Sequence, residues 1–334
     1  MLKQLKNNPL LNYAMNRKYL RQNGWNGIAA AVIVIVFSFS VGNYAQPSKQ
    51  NTPPVIAFVS DTQEPMLLEK LWLKSDNNEM ATREVFRAIN QEQNLTALFH
   101  LGDITALGFW PWEWNTVSNE LFPFWKRGIP VYPAIGNHEY FLFSSLGKNQ
   151  FFKHFPYIKS SWYAEQVGET AVIILNSNFS DLSDEEIFLQ QKWYEEKLRE
   201  LDGNPSVRYI IVGTHHSPYT NSKVVEPSSE VQRLFVPAFL KAAKCKLFIS
   251  GHAHTLEHFR NGGKDFLVVG GGGGLLQPIL TGREARYKDL YRGQNRTFHY
   301  VTIGLQKDSL VVRVKMINMD LGSFGDVYRI GIGK

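Results

Sequence analysis

VYPAIGNHE, residues 131–139, is an apolar run that stops abruptly at Asn137, His138 and Glu139. A continuous run of this kind reads as a strand buried on both faces. Four further stretches share the layout. VIAFVSD ends at Asp61 and ALFHLGD ends at Asp103, while YIIVGTHHSP carries His215 and His216, and KLFISGHAH carries His252 and His254. In open α/β sheets, ligands bind beyond the carboxyl ends of the strands. Strand ends that each deliver an Asp, Asn or His therefore put these groups on one rim. A lone residue of these types is usually a cap, a turn or a satisfied polar group. Five coincidences in one chain are a different matter.

Between these stretches the pattern alternates between strand and helix. Helical segments cover residues 81–93, which is amphipathic, 112–126 and 231–243. The clearest helix is 182–201. Ser183 and Glu186 form a capping box there, and Ile187, Leu189, Trp193, Tyr194, Leu198 and Leu201 make an apolar stripe. Strands near 162–166, 171–176, 266–270, 298–305 and 308–315 have no helices between them. They are expected as antiparallel additions to a parallel core. The glycine run at 270–274 lacks the spacing of a P-loop or dinucleotide fingerprint. It is either a close backbone approach to the rim or a plain turn. The class is α/β.

The formal charge of +6 is unevenly placed. Lys3, Lys6, Arg17, Lys18 and Arg21 precede an uncharged run, IAAAVIVIVFSFSV at 28–41, and no acid lies in residues 1–45. The run is shorter than the ~20 residues of a spanning helix. Residues 1–45 therefore read as a signal peptide or a signal anchor, with possible membrane association through 28–42. The chain is expected to be exported. Residues 46–54, QPSKQNTPP, read as a linker, and 55–334 as the functional domain. The body is near neutral and has no basic stripe to track a phosphate backbone, so no nucleic-acid partner is expected. Cys245 is the only cysteine, which excludes an intramolecular disulfide, and its apolar setting suits a buried residue.

SDTQ at 60–63, LGD at 101–103, GNHE at 136–139, THHSP at 214–218 and GHAH at 251–254 together resemble the calcineurin-like metallophosphoesterase superfamily. That family reads D-x-H, G-D, G-N-H-[DE], H and G-H-x-H in this order. The resemblance covers most of the chain. It implies two mixed sheets packed as a β-sandwich, helices outside, and a dinuclear metal site at the strand ends. It also implies hydrolysis of a small phosphorylated substrate, a phosphomonoester first, by a metal-bridging hydroxide. Two cations ~3.5–4 Å apart can activate a water and clamp the phosphoryl oxygens.

By this resemblance one metal takes Asp61, Asp103 and His254, with Gln63 where the family usually has His. The second takes Asp103, Asn137, His216 and His252, so Asp103 is the bridge. Such N and O donors suit Fe, Mn, Zn or Co. His138 matches the non-ligand His that stabilises the phosphoryl charge or protonates the leaving oxygen. Glu139 is expected to hold the His138 imidazole. The H-x-P pattern of related phosphatases aligns with His216-Ser217-Pro218, which favours His216 over His215 as ligand. His215 is left to support the ligands or contact substrate.

HSPYTNS at 216–222 and QQKWYEEKL at 190–198 look closest to the purple and tartrate-resistant acid phosphatase-like branch. That branch has a Tyr three residues after the bridging Asp, where this chain has Ala106. Two rival classes stand beside the phosphatase reading. One is a catalytically weak metal-binding or interaction module, since the Gln63 amide is a poorer ligand than imidazole. The other is a phosphodiesterase or nuclease. His100 and His258 read as structural histidines. The tryptophans of GFWPWEW, 108–114, either line the mouth of the site or pack beneath a loop.

Overall fold

The structure, a computed structural model, describes residues 53–66 and 77–333. The leader and nearly all of the linker expected from the sequence lie outside the described residues. In chain order the elements are β1 (Val55–Val59), α1 (Asn78–Asn90), β2 (Leu95–His100), α2 (Pro111–Lys126), β3 (Val131–Pro133), α3 (Asn137–Tyr140), α4 (Ser144–His154), β4 (Tyr163–Val167), β5 (Thr170–Leu175) and α5 (Asp184–Gly203). They continue with β6 (Tyr209–Thr214), α6 (Ser229–Leu234), α7 (Val236–Lys241), β7 (Cys245–Ser250), β8 (Leu256–Asn261), β9 (Lys264–Val269), β10 (His299–Gln306), β11 (Ser309–Ile317) and β12 (Phe324–Ile332).

The strands form two sheets, ordered β12-β11-β10-β1-β2-β3 and β4-β5-β6-β7-β9-β8. Alternate side chains of each strand face opposite ways, and both faces are covered. Phe58 and Phe99 of the first sheet meet Val172, Ile211 and Ile249 of the second in the core between them. Ala57 and Val59 face the opposite way, toward α1 and α2, with Val85, Phe86 and Phe124. Ile210, Val212 and Phe248 likewise pack under α5, α6 and α7. Each fully buried large apolar side chain contributes about 1.5–3 kcal/mol, so these layers hold the sandwich together.

Four sequence expectations change in detail. β5 and β9 are not simply antiparallel additions, because β5 pairs parallel with β6 and β9 parallel with β7. Their other neighbours, β4 and β8, pair with them antiparallel. The helix expected at 231–243 is two short helices, α6 and α7, with a break at Phe235. Pro237 has no N–H to donate one turn back, which ends the first helix. In α5 the capping box forms as expected, but Leu189 is exposed and Gln190 is buried. The Gln190 amide donates to the Asn176 carbonyl at 2.9 Å and accepts from its N–H at 2.7 Å. A polar tie at a strand end therefore takes the place an apolar stripe would fill. β12 was not expected either. It is a half-exposed edge strand containing two glycines, and only pairing with β11 defines it.

Trp114 anchors α2. Its indole N–H donates to the Gly108 carbonyl at 2.7 Å, and its ring stacks on His154 with centroids 5.1 Å apart. Phe151 and Phe155 meet its faces edge-on. Trp114→Ala is expected to cost about 3–5 kcal/mol, through a cavity and an unpaired carbonyl. Urea unfolding of the full chain checks this. A loss below about 1 kcal/mol would show that the ring is not an anchor.

Candidate metal centre and active site

Five strand ends deliver their polar groups to one rim. Asp61 follows β1, Asp103 follows β2, Asn137 and His138 follow β3, His215 and His216 follow β6, and His252 and His254 follow β7. The loops there lock to one another through the backbone. The N–H groups of Asp61 and Thr62 donate to the carbonyls of Gly102 and Asp103 at 3.1 and 3.0 Å. Gly274 N–H donates to the Asp61 carbonyl at 2.7 Å. The glycine run is thus a close backbone approach to the rim. A Cβ on Gly274 would lie 2.6 Å from the His254 ring. Gly136 is under the same constraint, since a Cβ there would strike the Asp103 carboxylate.

Asp61, Asp103 and His252 all adopt left-handed backbone, with φ of 59°, 54° and 65°. Non-glycine residues held this way cost energy, up to about 1–3 kcal/mol each, and such residues concentrate at functional sites. At Asp61 the turn lets the carboxylate accept the His252 N–H at 3.0–3.1 Å.

Three imidazoles share one device. His138, His215 and His254 each place Nδ1 against a backbone carbonyl, those of Ala106, Leu101 and Leu275, at 2.9, 2.9 and 2.7 Å. A carbonyl only accepts, so Nδ1 carries the proton and Nε2 turns to the centre. His215 Nε2 lies 2.9 Å from Asn137 Oδ1 and 3.3 Å from Asp103 Oδ2. His254 Nε2 lies 3.4 Å from Asp61 Oδ1. His138 Nε2 lies 3.9 Å from Asp103 Oδ2. His216 differs, because its Nδ1 meets the Ser177 hydroxyl at 2.9 Å. A hydroxyl both donates and accepts, so it does not set the tautomer. The His216 and His252 rings lie 4.4 Å apart.

Two clusters result, Asp61-Asp103-His254 and His215-His216-His252, each with candidate ligand atoms within 4.8 Å of one another. Gln63 joins the first. Its Nε2 is 3.4 Å from His254 Nε2, and its Oε1 is buried with no hydrogen-bond partner among the described residues. An orphaned acceptor costs about 1–3 kcal/mol, which a neighbouring cation would offset. The residues present therefore fit a pair of cations.

The protein's own charges balance in the same arrangement. Burial would push the Asp61 and Asp103 carboxyls up. The imidazole of His254 at Asp61, and those of His215 and His138 at Asp103, outweigh it and lower both. Burial opposes charge on His215 and His254, yet Asp103 lifts His215 to about 9 and Asp61 raises His254. Burial, then the charge of His215, drives His216 down to about 3. Burial and the same two histidines depress His252.

Glu139 corrects an expectation. It does not hold the His138 ring, whose Nδ1 goes to Ala106. Its Oε2 accepts from the N–H groups of Asp103 and Gly136 at 2.9 and 2.8 Å. Its Oε1 accepts from the N–H groups of Ile104 and Thr105 at 2.8 and 3.0 Å, and from the Thr105 hydroxyl at 3.2 Å. The side chain is fully buried. Burial and then the Asp103 charge raise its pKa, while the amides of Thr105 and Gly136 oppose the rise. Five donors converge on two oxygens, and only the carboxylate can accept them all.

Other residues fall as follows. His100 is buried between the Thr62 hydroxyl (2.9 Å) and the Gly102 N–H (3.2 Å), and burial holds it neutral with a pKa of about 3. His258 sits buried in β8 between Asp265 and Tyr328, away from both clusters. Cys245 is buried. One group was missed from the sequence. Asn176, Ser177 and Asn178 follow β5. Asn178 donates to the Ile135 carbonyl at 2.9 Å, Asn176 to the Tyr140 hydroxyl at 3.0 Å, and Ser177 contacts His216. The signal was present, since AVIILNSN at 171–178 is another apolar run that ends in polar residues.

Two mixed sheets with outer helices and a ligand rim at the strand ends are the metallophosphoesterase fold. A model of the calcineurin-like phosphoesterase family matches residues 54–256, and the chain belongs to that family. Members typically bind a dinuclear metal site. Among solved structures, the chain is similar in fold to the purple acid phosphatase PPD1 of yellow lupin (Lupinus luteus) seeds, with a TM-score of 0.60 and 15% identity over 84% of this chain. It spans only 54% of that enzyme's length. It is similar to GAP50, the anchor in the inner membrane complex of Plasmodium, with a TM-score of 0.61 and 14% identity over 84% of this chain and 89% of that one. A dimetal phosphatase from Danio rerio gives 0.54 and 13% over 84% and 99%. No curated protein sequence matches the chain.

Glu139→Gln isolates the role of the buried carboxylate. The amide puts N–H donors against backbone N–H groups, so a stability loss of about 2–4 kcal/mol is expected. Metal affinity is expected to fall roughly 10–100-fold as Asp103 and Gly136 lose their clamp. Urea unfolding and metal titration read the two effects. Wild-type values in both would mean that the loops hold without it.

Proposed function

We propose that this protein is a two-metal phosphoesterase acting on phosphomonoesters. The observation that carries the reading is the convergence of three carbonyl-fixed imidazoles on two buried aspartates, beside the orphaned Gln63 oxygen. Two bound cations would supply a water of lowered pKa and positive charge for the phosphoryl oxygens. Asp61, Asp103, His254 and Gln63 would hold one, and Asp103, Asn137, His252 and a histidine of the 215–216 pair the other.

Within that pair the geometry favours His215, against the sequence preference for His216. Its tautomer is fixed by Leu101, and its Nε2 reaches both Asn137 and Asp103. His216 then stands beside His252 as a supporting imidazole. His138 takes the acid's part. Its Nδ1–H is held by Ala106, its Nε2 reaches toward Asp103, and it belongs to neither ligand cluster. A proton on Nε2 is placed for transfer to the leaving oxygen. Such help is typically worth ~10²–10⁴-fold.

A second reading has one specific observation in its favour. Gln63 offers an amide where imidazole binds these metals better, which leaves the first position the weaker. A fold-mate described as an anchor is compatible with a metal-poor scaffold. Metal content and turnover of a generic aryl phosphate separate the two.

Metal titration should find one tight and one weaker position in the wild type. Gln63→His should tighten the weaker one, and His215→Ala should empty the other more completely than His216→Ala. Equal effects of the two histidine variants would return the ligand role to the pair as a whole. His138→Ala should keep its metals but lower kcat by roughly 10²–10⁴ for poor leaving groups, and less for good ones. A loss independent of the leaving group would show that His138 is not the acid.

A further inference from the structure

A leaving group departs on the side of the acid that protonates it. Beside the His138 ring stands Phe141, with ring centroids 6.3 Å apart. Phe141 is 41% exposed, and it starts a continuous apolar ridge. Leu142 and Phe143 follow, 67% and 54% exposed. Phe143 meets Phe109 edge-on at 4.9 Å, Phe109 meets Trp110 at 5.3 Å, and Trp110 meets Trp112 at 4.6 Å.

Two observations argue against leftover packing. The same short segment buries Trp114 completely while Trp110 and Trp112 stand out, 37% and 57% exposed. Leu142 has φ of 62°, a conformation that costs a non-glycine residue energy, at the turn that carries Phe141 and Phe143. A contiguous exposed apolar surface beside a catalytic group is the mark of a binding surface. No charged residue lies within 109–112 or 140–143, so these two segments offer a hydrocarbon surface.

We infer that the Phe141–Phe143–Phe109–Trp110 ridge is the leaving-group subsite, and that the substrate class is phosphomonoesters of apolar alcohols or phenols. The inference rests on the reading of His138 as the acid. The phosphoryl group lies over the aspartates, the ester oxygen faces His138, and the hydrocarbon extends along Phe141 toward the tryptophans. Cleavage breaks the P–O bond to that oxygen. Water supplies the new oxygen on phosphorus, and His138 delivers the proton that completes the alcohol.

The test uses the full chain loaded with metal, ethyl- and hexylphosphonate as inert probes, and ethyl and hexyl phosphate as substrates. Hexylphosphonate should bind roughly 10–100-fold more tightly than ethylphosphonate, since each buried methylene adds a few-fold. Its binding should shift tryptophan emission to the blue. Trp110→Ser and Phe141→Ser, on separate segments, should each shrink the hexyl-to-ethyl affinity ratio at least threefold. Hydrolysis of both phosphates with no chain-length preference in binding would overturn the subsite and leave the phosphoesterase standing. Chain-length-dependent phosphonate binding without hydrolysis of either ester would overturn the phosphoesterase and keep the subsite. Failure of both phosphonates to bind, or a wild-type ratio in both variants, overturns the subsite.

Discussion

The site depends on one buried carboxylate. Glu139 gathers the N–H groups of Asp103, Ile104, Thr105 and Gly136 onto two oxygens. Those amides belong to the turns after β2 and β3, which have no regular pairing of their own. Without a common acceptor, four buried donors would be unsatisfied, at about 1–3 kcal/mol each. With it, Asp103 is held where the His138 N–H can reach its Oδ1 at 2.9 Å. A charge buried among backbone amides therefore orders the residues around it. His138, its chain neighbour, is left to a different partner.

The remaining ligands are placed by restraint of the backbone more than of the side chain. Asp61, Asp103 and His252 sit in left-handed conformations, and glycines 136 and 274 admit no Cβ. The loops bearing the metal-type groups are thereby packed closer than ordinary loops allow. Carbonyls from the same loops set the imidazole tautomers, so each Nε2 faces the centre before any cation arrives. This is preorganisation, and the strain it stores is offset by the three apolar layers beneath.

The electrostatics follow from that crowding. Two carboxylates with lowered pKa face His215 and His254, both raised, while His216 and His252 are driven neutral. The basic and the neutral imidazoles divide according to which touch a carboxylate. One half of the site is oxygen-rich with an amide, and the other is imidazole-rich. Two cations bound there would meet unequal ligand fields.

The five strand ends were legible in the sequence because a strand covered on both faces must be continuously apolar, and polarity then marks where it ends. The same rule exposes residues 171–178, whose polar end, Asn176 to Asn178, falls outside the five blocks of the family pattern. Helix α5 was legible from its capping box, a local device. Gln190 was not, since its partner Asn176 lies on another element. β12 and the parallel pairings of β5 and β9 were not legible either, because register and direction belong to neighbouring strands. Residue type and order alone determined the α/β class, the ligand inventory and the departure at Gln63. Tertiary structure decided that Glu139 binds amides and not His138, that His215 and not His216 has its ring nitrogen fixed toward Asp103, and that Trp110 and Trp112 stand out while Trp114 is buried. Each of these turns on which donor or ring lies within a few ångströms across the chain, and sequence spacing does not encode that distance.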